Sequence, residues 1–254
     1  MDTPTTAASH RLIGVGVGPG DPELVTVKAV RVLGQADVIL VPTTEVGDVV
    51  GRAEAIVRAA CPRAVDRVRR VPFSMAERRG VGPKRAQAWL TSAEAVEQAF
   101  NLGASTVAFA TIGDPCVYST FAYLTAHVRA AVADVTVEII PGITAMQALA
   151  ATAEISLVEG QETLTLAPAT APPEVLEAVL TDSDSVVFYK IGRRGAAITQ
   201  MLADHHRADK AVVGVDIGLP DQRITALSDL DPADLPYFST IIAAATRTST
   251  GGRL

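Results

Sequence analysis

The stretch from Leu12 to Val30, LIGVGVGPGDPELVTVKAV, restricts the fold more than any other part of the sequence. Its apolar start predicts a strand that ends at Val17, and the glycines at alternate positions predict a tight turn. Asp21 before Pro22 has the form of an N-cap followed by proline at the first helical position, so we predict a helix from Pro22. A strand, a glycine turn and a helix in this order typically present backbone N–H groups to a ligand.

This turn does not match the dinucleotide-binding fingerprint. Whether the count starts at Gly14 or at Gly16, the third glycine of G-x-G-x-x-G falls on a proline or an aspartate. The fingerprint also requires an acid at the end of the second strand. The predicted second strand, residues 36–42, has its acid at Asp37, near its start. A single-domain methyltransferase of the usual kind would also have an acid at the end of this strand, so the sequence argues against that class as well. The structural alternative is a glycine-rich turn that binds no ligand.

Alternating strand and helix signals predict an α/β protein. The predicted strands are 12–17, 37–41, 105–111, 135–140, 185–191, 211–217 and 238–244, and the predicted helices are 49–60, 83–102, 117–131, 143–153, 173–180 and 193–205. We interpret the arginine-rich stretch 64–82 as a solvated loop. The predicted organisation is a disordered tail (1–10), two α/β domains (11–140 and 141–245) and a flexible tail (246–254).

Composition narrows the range of partners. The 254 residues carry a net charge of −6, with dispersed Lys and Arg, which argues against a nucleic-acid partner. No apolar run approaches the roughly 18 to 20 residues of a membrane-spanning helix, and the N-terminus lacks a signal-peptide pattern. The two cysteines, Cys61 and Cys116, fit a reducing compartment, and no metal-ligand spacing is present. We therefore expect a soluble, cytoplasmic protein without a metal site.

Five motifs occur in order between Leu12 and Ala245: GVGVGPGDPELVTVKA, ATIGDPCVYSTF, PGITA, VVFYKIG and PYFS. Together they resemble the tetrapyrrole (cobalamin-pathway) methyltransferases. Within that family, GDPCVYSTF, VEGQE and PYFS are most similar to the precorrin-2 C20-methyltransferases. The resemblance implies two α/β domains with S-adenosylmethionine in the cleft between them, and a homodimer. It also implies methyl transfer from sulfur to C20 of precorrin-2 or cobalt-precorrin-2 in corrin ring synthesis.

The resemblance also implies which residues contact the cofactor. Carried over position by position, they are Pro19, Ile112, Gly113, Asp114, Val117, Thr144, Ala145, Tyr189, Lys190 and Gly218. The register at Tyr189 and Lys190 stays open. A sulfonium cofactor needs backbone donors and acceptors with limited negative charge, and the Gly113-Asp114-Pro115 turn offers both. The alternative for Asp114 is a turn carboxylate that caps a helix beginning near Val117.

The sequence does not identify a catalytic base. Related uroporphyrinogen methyltransferases have an aspartate at the end of the second strand, where this chain has Pro42 and Thr43. The nearest acid is Glu45, for which a loop carboxylate is the alternative interpretation.

Precorrin-2 carries many carboxylates, so an acidic protein must concentrate positive charge locally to bind it. The candidates near strand or motif ends are Arg52, Arg193, Arg194 and Arg223. For each of them, the alternative interpretation is an arginine at the surface that binds no substrate. The arginine-rich segment 63–79 is a candidate lid or dimer contact.

Other functions are also compatible with the sequence. Enzymes of the same superfamily methylate other precorrin positions, ribosomal RNA or a modified histidine on a translation factor. From different classes, a nicotinamide-dependent oxidoreductase and a non-catalytic metabolite sensor are the remaining candidates.

Overall fold

The computed structural model describes residues 10–43, 50–72, 82–231 and 235–247. The chain divides into two compact units, one ending at Thr144 and the other beginning at Ala145. The domain limits predicted from the sequence, 11–140 and 141–245, stay a prediction. Several predicted features lie outside the described residues: the tail at 1–9, Glu45, the 73–79 part of the arginine-rich segment, and residues 248–254.

The first unit is built on a five-stranded parallel sheet. Its strands are β1 (Arg11–Gly16), β2 (Val38–Thr43), β3 (Val68–Pro72), β4 (Thr106–Thr111) and β5 (Thr136–Ile140), in the spatial order β3-β2-β4-β1-β5. Its helices are α1 (Val27–Gln35), α2 (Arg52–Ala60), α3 (Pro83–Asn101) and α4 (Phe121–Ala131). Because the strands are parallel, their carboxyl ends share one edge of the sheet. The turns that follow β4, β1 and β5 are therefore neighbours.

Both faces of this sheet are buried. Ile13 of β1 packs in a cluster with Leu33 of α1, whereas Leu12 packs in a second cluster with Val96 of α3 and Phe121 of α4. A parallel strand covered on both faces needs apolar residues at every position. This explains why the central strands have uninterrupted apolar sequences.

The second unit contains a five-stranded mixed sheet. Its strands are β6 (Leu164–Pro168), β7 (Ser185–Tyr189), β8 (Ala211–Val215), β9 (Arg223–Ala226) and β10 (Thr240–Ala243), in the order β6-β7-β10-β8-β9. Its helices are α5 (Ala145–Thr152), α6 (Pro173–Asp182) and α7 (Gly195–Asp204). β6 is parallel to β7, and β10 is antiparallel to both β7 and β8. The carboxyl ends of β6, β7 and β8 therefore lie at one edge, together with the first residue of β10.

Two predicted helix starts are wrong. Pro22 begins only a 3₁₀ turn, in which the Asp21 carboxylate accepts the Glu23 N–H, and α1 begins at Val27 because Thr26 provides its N-cap. The predicted helix 117–131 begins at Phe121. The residues before it form a turn in which Tyr118 has a φ of 52°, a left-handed conformation that a helix cannot contain.

The interpretation of residues 64–82 as a loop is wrong for its first part. Residues Pro62–Arg67 form a 3₁₀ helix, and Val68–Pro72 is the edge strand β3. In β3 the exposed Arg69 side chain is compatible with a strand because an edge strand is solvated.

Asp37 joins the beginnings of two strands. Its carboxylate accepts the N–H groups of Thr106, at 2.8 Å, and Ser105, at 2.9 Å. The hydrogen bond from Thr106 does most to hold the pKa of Asp37 below its ordinary value of 3.8. The acid at the start of the second strand therefore has a structural role.

Glu54 links α2 to β3. Its side chain is 2% exposed, and it accepts from Arg70 at 2.6 Å and from Arg58 at 2.9 Å. Burial raises the pKa of Glu54, but hydrogen bonds from Arg70 and Arg58 outweigh it, so the pKa lies below 4.5. The ionised form is therefore favoured in the folded chain.

We predict that Glu54→Gln lowers the free energy of unfolding by about 2 to 3 kcal/mol at pH 7, because it leaves a guanidinium without its charged partner. Folding lowers the pKa of Glu54, so its contribution is complete above the unfolded-state pKa and is lost as the pH falls through the folded-state value. Urea denaturation between pH 7 and about pH 3 should therefore show a weaker pH dependence for Glu54→Gln. The exposed Glu94 gives a matched control, Glu94→Gln, expected within about 0.5 kcal/mol of wild type. Equal stability of wild type and Glu54→Gln would contradict this account.

Candidate functional site

The turns after β1 and β4 are joined by their backbones. The Gly113 N–H donates to the Gly18 carbonyl at 2.8 Å, and the Val17 N–H donates to the Thr111 carbonyl at 3.0 Å. Gly18 and Gly113 have φ values of 76° and 68°. This left-handed region favours glycine, so the residue type follows from the geometry of the joined turns.

The turn after β5 packs directly on the other two. A Cβ atom added to Gly16 would lie 2.6 Å from the Gly113 carbonyl oxygen and 2.6 Å from the Gly142 nitrogen. No side chain fits at these distances without a backbone shift. The glycines at positions 16 and 142 therefore let three chain segments meet backbone to backbone.

The Asp114 carboxylate connects the same turns. One oxygen accepts the Cys116 N–H at 2.7 Å, within its own turn, and the other accepts the Gly142 N–H at 2.9 Å. Val117 lies in this turn as well, with its N–H donated to the Asp114 carbonyl at 3.2 Å. The structure thus gives Asp114 the turn-forming role that the sequence left as an alternative. A contact between Asp114 and the cofactor stays a prediction.

The structure places most of the first unit's predicted cofactor residues at the carboxyl ends of β1, β4 and β5. Pro19 is buried directly after Gly18, and Ile112 precedes Gly113. Thr144 is 6% exposed, and a Cβ on Gly113 would lie 3.9 Å from its Cα. We call this group, formed by residues 16–20, 112–114 and 142–144, the three-turn edge.

In the second unit, the predicted cofactor residues in the sheet lie at the edge formed by the carboxyl ends of β7 and β8. Tyr189 is the last residue of β7, and its phenol oxygen accepts the Met146 N–H at 3.1 Å. Met146 follows Ala145, the first residue of α5. Lys190 has a φ of 60°, and Gly218, beyond the carboxyl end of β8, has a φ of 77°. The Tyr189 side chain, one of the two residues whose register was open, therefore contacts the start of α5.

Three of the four candidate arginines share this second edge. Arg193 and Arg194 are exposed in the 3₁₀ turn Gly192–Arg194 that follows β7. Arg223 is exposed at the start of β9, opposite Val215. The fourth, Arg52, is half-buried and begins α2 in the first unit.

Sequence analysis missed several polar contacts near the predicted residues. The hydroxyls of Thr111 and Ser119 are 3.2 Å apart, and the Ser119 hydroxyl accepts the Phe121 N–H at the start of α4. The pattern of serine two residues before an apolar helix start could have indicated this cap. The bond between Tyr189 and Met146 has no comparable local signal.

The thiols and acids offer no alternative site among the residues that the structure describes. Cys61 is buried and Cys116 exposed, both as free thiols. Within those same ranges, no group of three or more His, Cys, Asp or Glu residues is arranged to bind a metal ion. None of the described helices is both long and apolar enough to span a membrane.

Comparison with known proteins agrees with this arrangement. The model of the family Tetrapyrrole (Corrin/Porphyrin) Methylases matches residues 11–231. A precorrin-2 C(20)-methyltransferase from Sinorhizobium sp is 38% identical over 236 residues, which are 91% of this chain and 94% of that protein. A cobalt-precorrin-2 C(20)-methyltransferase from Salmonella typhimurium is 31% identical over 234 residues, covering 91% of this chain and 95% of that protein.

A solved structure shows the same fold. The uroporphyrin-III C-methyl transferase from Thermus thermophilus, complexed with S-adenyl homocysteine, matches with a TM-score of 0.60 at 20% identity. The match covers 92% of this chain and 97% of that one, which confirms the predicted fold of two α/β domains. Because the family model spans most of the sequence, the chain belongs to the tetrapyrrole (corrin/porphyrin) methylases.

Proposed function

We propose that this chain transfers a methyl group from S-adenosylmethionine to C20 of precorrin-2, or of its cobalt form, in corrin ring synthesis. The observation that carries the proposal is the three-turn edge, where backbone groups from three strand ends meet around Gly16, Gly113 and Gly142. Two relatives that each match about nine-tenths of the chain are named for methylation at C20, one with and one without cobalt.

The three-turn edge fits the chemistry of this cofactor. S-adenosylmethionine carries a sulfonium, an ammonium and a carboxylate, so it needs backbone donors and acceptors and limited negative charge. The glycines at positions 16 and 142 let the backbones of these turns pack directly on one another, and Asp114 supplies a carboxylate. The proposed cofactor residues are those predicted from the sequence: Pro19, Ile112, Gly113, Asp114, Val117, Thr144 and Ala145, with Tyr189, Lys190 and Gly218 from the second unit.

The cofactor supplies an electrophilic methyl group. In the reaction the sulfur–methyl bond breaks, a carbon–carbon bond forms at C20, and a proton leaves the methylated carbon or a pyrrole nitrogen. The protein accelerates such a step by aligning donor and acceptor and by excluding water, without a covalent intermediate. The end of β2 presents Pro42 and Thr43 where related enzymes have an aspartate, and Glu45 is the nearest acid in sequence. We assign no residue as the base.

Binding of a multiply carboxylated substrate requires local positive charge in an acidic chain. Arg193, Arg194 and Arg223 follow or begin strands at the same edge as Tyr189 and are exposed, so their guanidinium groups can reach a ligand there. Arg52, at the start of α2, is the candidate from the first unit. We propose that these four arginines bind substrate carboxylates.

The proposal includes a homodimer in the cytoplasm. The family resemblance implies the dimer, and two free cysteines fit a reducing compartment. Sedimentation equilibrium should accordingly give twice the chain mass of 26.5 kDa.

We predict that the purified protein transfers labelled methyl from S-adenosylmethionine to enzymically made precorrin-2. The experiment compares metal-free and cobalt-containing substrate and locates the label on the product by NMR, with the label expected at C20. A label at another carbon would overturn the C20 assignment in favour of a different precorrin methyltransferase. Binding of the cofactor without transfer to either substrate would support the sensor instead, and saturable binding of NADH alone would support the oxidoreductase.

We predict that Asp114→Asn weakens binding of S-adenosylhomocysteine by about 10-fold or more. An amide would put its NH₂ group against the N–H of Cys116 or of Gly142, which separates the turns. Isothermal titration calorimetry measures the effect. The matched control is Asp134→Asn, since Asp134 is exposed with a φ of 58° that asparagine tolerates. Equal affinity of Asp114→Asn and wild type would contradict the assignment.

We predict that charge reversal at Arg193, Arg194 or Arg223 raises the KM for precorrin-2 at least about 10-fold, because an attraction to a carboxylate becomes a repulsion. The dissociation constant of S-adenosylhomocysteine should stay unchanged. Arg31→Glu, at an exposed position of α1, is the control for a change in net charge. An arginine whose reversal leaves the KM unchanged is not part of the substrate site.

A further inference from the structure

We propose that Tyr189 is a positioning residue whose phenol oxygen fixes the start of α5, and with it Thr144 and Ala145. The proposal rests on the proposed function, since those two residues are among its cofactor contacts. It goes beyond that function by giving Tyr189 a second role, which acts through the backbone of α5, beside the cofactor contact proposed for it.

Tyr189 supplies a hydrogen-bond acceptor that the first turn of α5 lacks. The first N–H groups of any α-helix have no partner within the helix. Met146 is the second residue of α5, and its N–H donates to the Tyr189 phenol oxygen at 3.1 Å. The helix has only 8 residues, a length that is unstable without outside support. An acceptor in its first turn is therefore one of the outside contacts that hold it.

The chain just before α5 is held in the same way. In the first unit, the Gly142 N–H donates to the Asp114 carboxylate at 2.9 Å. The segment 142–146 thus has one backbone N–H bound to a side chain at each end, Asp114 at Gly142 and Tyr189 at Met146. Thr144 and Ala145 lie between these two attachment points. The Asp114 bond therefore holds the chain before Thr144, and the Tyr189 bond holds the chain after Ala145.

Tyr189 is itself well placed to act as a fixed point. It ends β7, which is parallel to β6 and antiparallel to β10, so its backbone lies within the sheet. Its carbonyl accepts the Ala169 N–H at 2.7 Å. Phenylalanine at this position would preserve the ring and remove the phenol oxygen that accepts the Met146 N–H.

The test compares Tyr189→Phe with Tyr123→Phe, which removes the same hydroxyl from an exposed ring that stacks on Trp89. Amide hydrogen exchange of Met146 is measured in the cofactor-free protein, and binding of S-adenosylhomocysteine by calorimetry. For Tyr189→Phe we expect exchange at Met146 to be about 3- to 10-fold faster and the dissociation constant to be about 3- to 10-fold higher. Tyr123→Phe should change neither of these values.

The possible outcomes distinguish failure of this inference from failure of the proposed function. Unchanged exchange at Met146 in Tyr189→Phe would overturn the positioning role, as would faster exchange with unchanged affinity. Weaker affinity with unchanged exchange would leave Tyr189 as a direct ligand contact without the positioning role. A wild-type protein that does not bind S-adenosylhomocysteine would overturn the proposed cofactor itself, a failure seen before any variant is made.

Discussion

The hydrogen bond from the Gly142 N–H to the Asp114 carboxylate joins the turns that follow β4 and β5, the two strands on either side of β1. Gly16 ends β1 between them and has no room for a side chain. A charge-assisted bond of this kind is worth about 1.5 to 3 kcal/mol. It also fixes the arrangement in which the backbones of three turns are presented. The proposed cofactor chemistry depends on that presentation more than on any reactive side chain.

The two ends of the strands in the second sheet carry different kinds of contact. At the edge away from Tyr189, Arg207 donates to the carbonyls of Leu180, Ser183, Asp184 and Ala243, and burial lowers its pKa. Near the same edge, just before β6, Glu162 of the VEGQE motif is bound by Arg247 at 2.6 Å. That motif supported the family resemblance, and the contacts of Glu162 give it a structural role. The opposite edge carries the predicted ligand residues.

Sequence patterns predicted the elements that depend only on residues close together in the chain. The central strands have continuous apolar residues, and the turn glycines and prolines reflect backbone conformation, so both were found. The missed strands β3, β6 and β9 are all edge strands, where one side is solvated and polar residues such as Arg69 interrupt the pattern. The pairings of Asp114 with Gly142 and of Tyr189 with Met146 were not predictable, because they join residues 28 and 43 positions apart.

The central claim is that the three-turn edge binds the methyl donor. Amide chemical shifts of the ¹⁵N-labelled protein during titration with S-adenosylhomocysteine test it most directly. The account predicts saturable shifts that are largest in residues 16–20, 112–114 and 142–146. Shifts centred on other residues, such as the exposed faces of α1 and α6, or the absence of any saturable shift, would contradict it.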